Sequence, residues 1–298
     1  MAGAMRGARG GAIGLLYRER LSDADLAVLA EAAGEPGPAR DRVARLRSDP
    51  DRIATLIERP RAYQVMFGSG AEAGLVFASP HLAFSVLFAA VSRELATVPF
   101  VREWVAPRRS VPIFDVVALR TFAEDHMRRL FLTDVLSSYT HVASGPVWIR
   151  TGRTWTRRRF SELDPMHLIR LIDATPDDRR DVLYRRLGDL SLFLSGVFPD
   201  HAAGSLFGGK VATAWRAIGG DSADGGADLG EPGGPIQVLE WLGRRSYRMV
   251  ATDAVPGRLG MAGVLEDVAE GFSQARRVLN FLTERHLFPI RDGWFGPG

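Results

Sequence analysis

The sequence predicts a mainly α fold: a multi-helix globular bundle with one small β-hairpin near residues 147–157. Three observations carry that expectation. Apolar residues recur every three or four positions in segment after segment. Many of those segments open on a capping residue followed by proline, as at Asp49-Pro50, Ser79-Pro80, Asp164-Pro165 and Thr175-Pro176. Strand-like patterns do not alternate with helical ones, so a parallel sheet is excluded.

Taken in order, residues 1–19 are rich in Gly, Ala and Arg, lack the apolar core of a signal sequence, and are expected to form a flexible arm. A single helical domain is expected over 20–289. Ser22-Asp23 caps a short helix that runs to Gly34. ARDRVARLR forms a charged helix, and DRIATLIER forms the next, ending before Pro60. After Ser79-Pro80, HLAFSVLFAAVSRELA is apolar nearly all round until Arg93, which predicts a core helix. APRRSVP makes a turn, and one long helix follows from about Asp115 to Tyr139. PVWIRTGRTWTRRRF puts β-branched and aromatic residues on both sides of a glycine turn, the hairpin signal of the chain, within a basic stretch at 146–160. MHLIRLIDA is helical, and Thr175-Pro176 begins the helix that holds YRRLGDLSLFLSGVF. Residues 219–235 are a flexible Gly/Asp loop, IQVLEWLGRRSYRMVA returns to helix, and a last helix runs from about Ala262 to His286 before the tail at 290–298.

Composition narrows the function classes. At 298 residues, 46% hydrophobic and 24% charged, the chain builds a sizeable core and is not disordered. Net charge is only +3, and Lys210 is the one lysine, a bias attributable to a GC-rich coding sequence. No cysteine is present, which removes disulfides, thiolate metal sites and a cysteine nucleophile together. The longest apolar runs, Leu82–Val91 and Leu187–Phe198, fall short of the ~20 residues that span a bilayer, so no membrane span and a cytoplasmic location are expected.

Several motifs invite chemistry and fail its requirements. GSLFGGK, Gly204 to Lys210, fits G-x-x-x-x-G-K, but Val211 stands where Ser or Thr must hold Mg²⁺ and no strand feeds the loop. Asp221, Asp224, Asp228 and Glu231 do not have the alternate spacing of a calcium loop. The six histidines, His81, His126, His141, His167, His201 and His286, form no H-E-x-x-H or E-x-x-H pair, and G-x-S-x-G is absent. His126, at helical spacing with Leu119, Phe122 and Leu130, is expected to face the core. No catalytic, cofactor or metal residue is assigned. Arg150, Arg153, Arg157, Arg158 and Arg159, interleaved with Trp148 and Trp155, could meet phosphates and bases, but a ribbon lying on helices explains the same residues.

Asp189 is the lone charge in the run Leu187–Phe198. Arg185 and Arg186 precede it by four and three positions, so either can form a structural ion pair with it. Gly188, Ser191 and Ser195 share a stripe, with Gly196 beside it, the signature of a groove for a neighbouring helix. A catalytic role for Asp189 would need a second titrating group, and none is evident.

The run LGDLSLFLSGVFPDH, preceded by YRR, and the ending RHLFPIRDGWFG resemble segments of an uncharacterised family of helical bacterial proteins. That resemblance implies a mainly helical fold and no assigned activity, and it transfers no site residue. The expected function is protein binding, as a regulatory or scaffold component for a protein partner or for a second copy, with no cofactor; enzymatic activity is left open and is not the favoured reading. A small-molecule binder or enzyme with a cavity between helices is the alternative, and a nucleic-acid binder acting through the hairpin is the other.

Overall fold

The structure, a computed structural model, describes residues 12–68, 78–106, 109–140, 144–151, 154–161, 163–199, 234–253 and 261–289, with backbone alone for the two strands between 144 and 161. The chain divides into two compact units: Met1–Pro99, Val116–Ser137 and Glu284–Gly298 make the first, and Phe100–Asp115 and Ser138–Thr283 the second.

The first unit is helical. It contains α1 (12–20), α2 (Asp23–Ala32), α3 (Ala39–Ser48), α4 (Pro50–Ile57), α5 (Pro60–Phe67), α6 (Pro80–Leu95), α7 (Val116–Glu124) and nearly all of α8 (His126–Ser138). The capping residues act as the sequence leads one to expect. Ser22 and Asp25 form a reciprocal capping box, Ser79 Oγ accepts from Leu82 N at 3.2 Å, and Asp49 Oδ1 accepts from Arg52 N at 3.2 Å. Leu26, Leu29, Leu46, Ile53, Leu56, Leu82, Val86 and Leu130 build its core.

Among the described residues, the second unit holds two hairpins and five α-helices. β1 (Val101–Ala106) pairs antiparallel with β2 (Arg109–Ile113), and β3 (Ser144–Thr151) with β4 (Thr154–Ser161). α9 (Pro165–Ala174), a 3-10 turn (Asp177–Arg179), α10 (Asp181–Val197), α11 (Pro235–Asp253), α12 (Met261–Glu270) and α13 (Phe272–Leu282) follow. α10 is the central element, packed against α9, α11 and α13.

Several expectations are corrected. Residues 12–19 are no arm: they lie in α1, whose Ile13, Leu16 and Tyr17 are buried in the first core. Pro60 does not merely end α4; it occupies the first turn of α5, where a missing N–H costs nothing. The long helix near 115–139 is two helices, broken at Asp125, whose Oδ1 accepts from Met127 N at 2.8 Å and Arg128 N at 3.0 Å. His126 therefore begins a helix, and its side chain is 48% exposed instead of facing the core. The last helix is likewise interrupted at Gly271 and ends in a π-turn, Thr283–Leu287. Of APRRSVP, Arg109 to Pro112 lie in strand β2 of hairpin β1–β2, in which Pro112 sits opposite Arg102, while residues 107–108 lie outside the described residues. A proline is tolerated in a two-stranded ribbon, where one backbone edge bonds to nothing in the ladder. No helix among the described residues is long and apolar enough to cross a membrane.

Candidate functional site

α10 exists because Leu187, Leu190, Leu194 and Val197 recur at helical spacing while Leu192 and Phe193 are buried on its other sides. A helix covered all round must also accommodate its one acid. Arg185 Nε donates to Asp189 Oδ1 at 2.8 Å along the helix, and Tyr247 Oη on α11 donates to the same oxygen at 2.9 Å. Burial pushes the Asp189 carboxyl above its ordinary value, opposed by the Arg185 charge and by both hydrogen bonds. Burial also drives the Tyr247 phenol well up, helped by the Asp189 charge. Arg186 turns elsewhere: its Nη1 donates to Ser138 Oγ at 2.9 Å, and its guanidinium stands 4.0 Å over the Tyr139 ring.

The small residues of α10 set its distance from its neighbours. A Cβ on Gly188 would stand 2.5 Å from Tyr247 Cε1, and one on Gly196 would stand 2.7 Å from Leu279 Cβ on α13. Ser191 and Ser195 return their hydroxyls to the carbonyls of Leu187 and Ser191, each at 2.7 Å. Asn280 Nδ2 on α13 donates to the Gly196 carbonyl at 2.6 Å, close to the open end of α10. An acid held by two donors, beside a phenol that stays protonated, has no partner with which to exchange protons near neutral pH. The arrangement is that of a packed helix junction.

A second charged set in this unit was not anticipated from the sequence. Glu103 on β1 accepts from Arg276 Nη2 at Oε1 and from Arg277 Nη2 at Oε2, the latter at 2.8 Å. Arg276 Nε approaches Glu240 Oε2 on α11 at 3.4 Å, and Glu240 Oε1 accepts from Arg244 Nη2 at 2.8 Å. The result is an alternating chain, Arg244–Glu240–Arg276–Glu103–Arg277, across α11, α13 and β1. Burial alone would raise the Glu103 carboxyl, but the hydrogen bonds from Arg277 and Arg276 and the charges of both hold it below its usual value. A clue was present: Arg276 is four residues after Phe272 and three before Leu279, on the buried stripe of its helix.

Three polar sets of the first unit include a histidine. Asp134 is gripped by Arg20 through Nε at 3.0 Å and Nη2 at 3.1 Å, with His81 Nδ1 at 3.6 Å. Glu58 pairs with Arg129 and has His126 Nε2 at 3.5 Å. Tyr63 Oη lies 3.0 Å from His286 Nδ1, whose Nε2 is 3.3 Å from Glu94, itself held by Arg285 at 2.9 Å. This hydroxyl–imidazole–carboxylate order resembles a nucleophile with its base. Burial, however, pushes the Tyr63 phenol up and His286 down, which leaves both neutral and the phenol unactivated.

The hairpin residues are placed in register only: Trp148 opposite Arg157, Val147 opposite Arg158, Pro146 opposite Arg159 and Arg150 opposite Trp155. Arg153, His141, His201, the 204–210 motif, most of the 219–235 loop and the tail lie outside the described residues. At the open end of the other hairpin, beyond the first pair Val101 and Ile113, Phe100 and Phe114 bring their ring centroids to 5.9 Å. They are 42% and 73% exposed respectively. The sequence offered no signal for this pair, because β1 and β2 were not anticipated. No family model, curated protein or solved structure matches the chain, so no residue role is supplied from outside it.

Proposed function

We propose that this protein works by binding another protein, with Phe100 and Phe114 as the contact. The observation that carries the reading is that aromatic pair, adjacent and in water, at the open end of hairpin β1–β2. Elsewhere in both units the acids highlighted above face arginines or imidazoles, which favours stability over chemistry. Covering a phenylalanine side chain is worth about 1.5–3 kcal/mol, and paired aromatics recur at the centres of protein interfaces. The partner therefore presents an apolar surface.

The test uses the full chain with Phe100→Ser and Phe114→Ser combined. Partners captured by the wild type are identified, purified and titrated against both proteins, while light scattering over a concentration series detects a second copy as the partner. Loss of about 2 kcal/mol, roughly 30-fold in Kd, is expected for the double variant. Wild-type affinity in a variant with an unchanged circular dichroism spectrum would overturn the reading.

A further inference from the structure

The charge chain of the second unit has more donors than acceptors. Its three guanidinium groups face two carboxylates, which leaves one positive charge over. Both carboxylates are fully engaged: Glu103 by Arg276 and Arg277, Glu240 by Arg244 and Arg276. On the donor side the Arg276 side chain is only 4% exposed, and its Nη1 is buried with no hydrogen-bond partner. Arg277 Nε and Arg244 Nε are buried and unpartnered in the same way. Arg276 Nε, although 3.4 Å from Glu240, likewise makes no hydrogen bond. A buried guanidinium nitrogen without an acceptor costs about 1–3 kcal/mol, and more when charged, so four along one connected chain demand a reason.

We propose that this chain is an internal oxyanion site, completed when a phosphate or carboxylate group takes up the free donors of Arg276, Arg277 and Arg244. Charge and hydrogen bonding point the same way. One added negative charge neutralises the excess, and an oxyanion supplies several acceptor lone pairs to planar guanidinium forks, which match its geometry better than ammonium groups do. Exposure is lowest in the middle of the chain, 4% at Arg276, and higher at its two ends, 22% at Arg277 and 36% at Arg244. Glu103 is the positioning group: it holds the Nη2 ends of two consecutive arginines and leaves their other nitrogens for the ligand.

The test is calorimetric titration of the full chain with inorganic phosphate in one arm and acetate in the other. Sodium chloride keeps the ionic strength constant, and concentrations stay in the low-millimolar range, because phosphate at high concentration stabilises any protein by exclusion. Saturable binding of either anion is expected, and the arm that responds identifies phosphate or carboxylate as the preferred source. The variants are Arg277→Gln and Arg244→Gln, chosen because these side chains are partly exposed and their loss leaves the core filled. Each should weaken binding about tenfold or more, the usual consequence of losing a charged hydrogen bond. No saturable heat in either arm overturns the proposal. So does binding that both variants retain at wild-type affinity.

Discussion

Gly188→Ala tests how α10 meets α11, because two effects of known size oppose each other there. In a helix interior the substitution alone is favourable by about 0.5–1 kcal/mol, since glycine loses more backbone freedom on folding. At 188 the new Cβ would stand 2.5 Å from Tyr247 Cε1 and 2.6 Å from Cδ1, well inside the ~3.5–4.0 Å at which carbons rest in contact. The ring cannot simply retreat. Tyr247 is fully buried, and its hydroxyl is tied to Asp189 at 2.9 Å, so withdrawal stretches that bond or shifts α11. Overpacking of this kind costs about 1–3 kcal/mol, which at the midpoints of the two ranges leaves a net loss of about 1 kcal/mol after the propensity gain. Gly263 on α12 is the control, because a Cβ there would meet nothing within 4 Å. Gly263→Ala should therefore stabilise by up to about 1 kcal/mol. Guanidinium denaturation followed by circular dichroism measures both. A Gly188→Ala protein as stable as the wild type, or equal shifts of one sign at the two positions, would refute the reasoning.

Asp189→Ala should destabilise by about 2–3 kcal/mol, because it removes the buried oxygen that accepts from both Tyr247 Oη and Arg185 Nε. Asp189→Asn keeps an acceptor for that hydroxyl and should lose about half as much; equal losses in the two variants would show that the charge alone matters. Burial holds His81 and His286 below the ordinary histidine value, against the pull of Asp134 and Glu94, and at the half-exposed His126 partial burial acts together with the Arg129 charge against the pull of Glu58. The unfolded chain therefore binds the extra protons, so this contribution is complete above about pH 6.5 and is lost as pH falls through the folded values. Melting temperature should drop between about pH 7.5 and about pH 5.5, and His286→Gln should flatten part of that slope. A flat wild-type profile would count against it.

What could be read in advance was local. Ser22, Asp49, Ser79 and Asp164 announced their helices because a cap and the amide that it binds lie within three residues. Arg185 was a legible partner for Asp189 for the same reason, being one helical turn away. Tyr247, 58 residues distant, was not, nor was Glu103, which reaches Arg276 across 173 residues. Such pairs depend on which helices pack together, and periodicity does not encode that. The missed elements failed for different reasons. α1 was hidden by the glycines and arginines that precede it, and α5 by a proline that serves equally as a stop and as a start. The break at Asp125 was masked because apolar spacing continues across it; only the aspartate itself marks the new cap.

The order in which the units draw on the chain bears on how the protein is made. Glu94 and Tyr63 belong to the first unit, but their partners Arg285 and His286 belong to its final segment, beyond the whole of the second unit. At about 5–20 residues per second, a ribosome needs roughly 10–40 s to travel from one to the other. Once α7 and α8 have followed, the first unit's segment α1–α8 is on the chain but still lacks the turn that closes against Tyr63 and Glu94. The unit begun first is the one completed last.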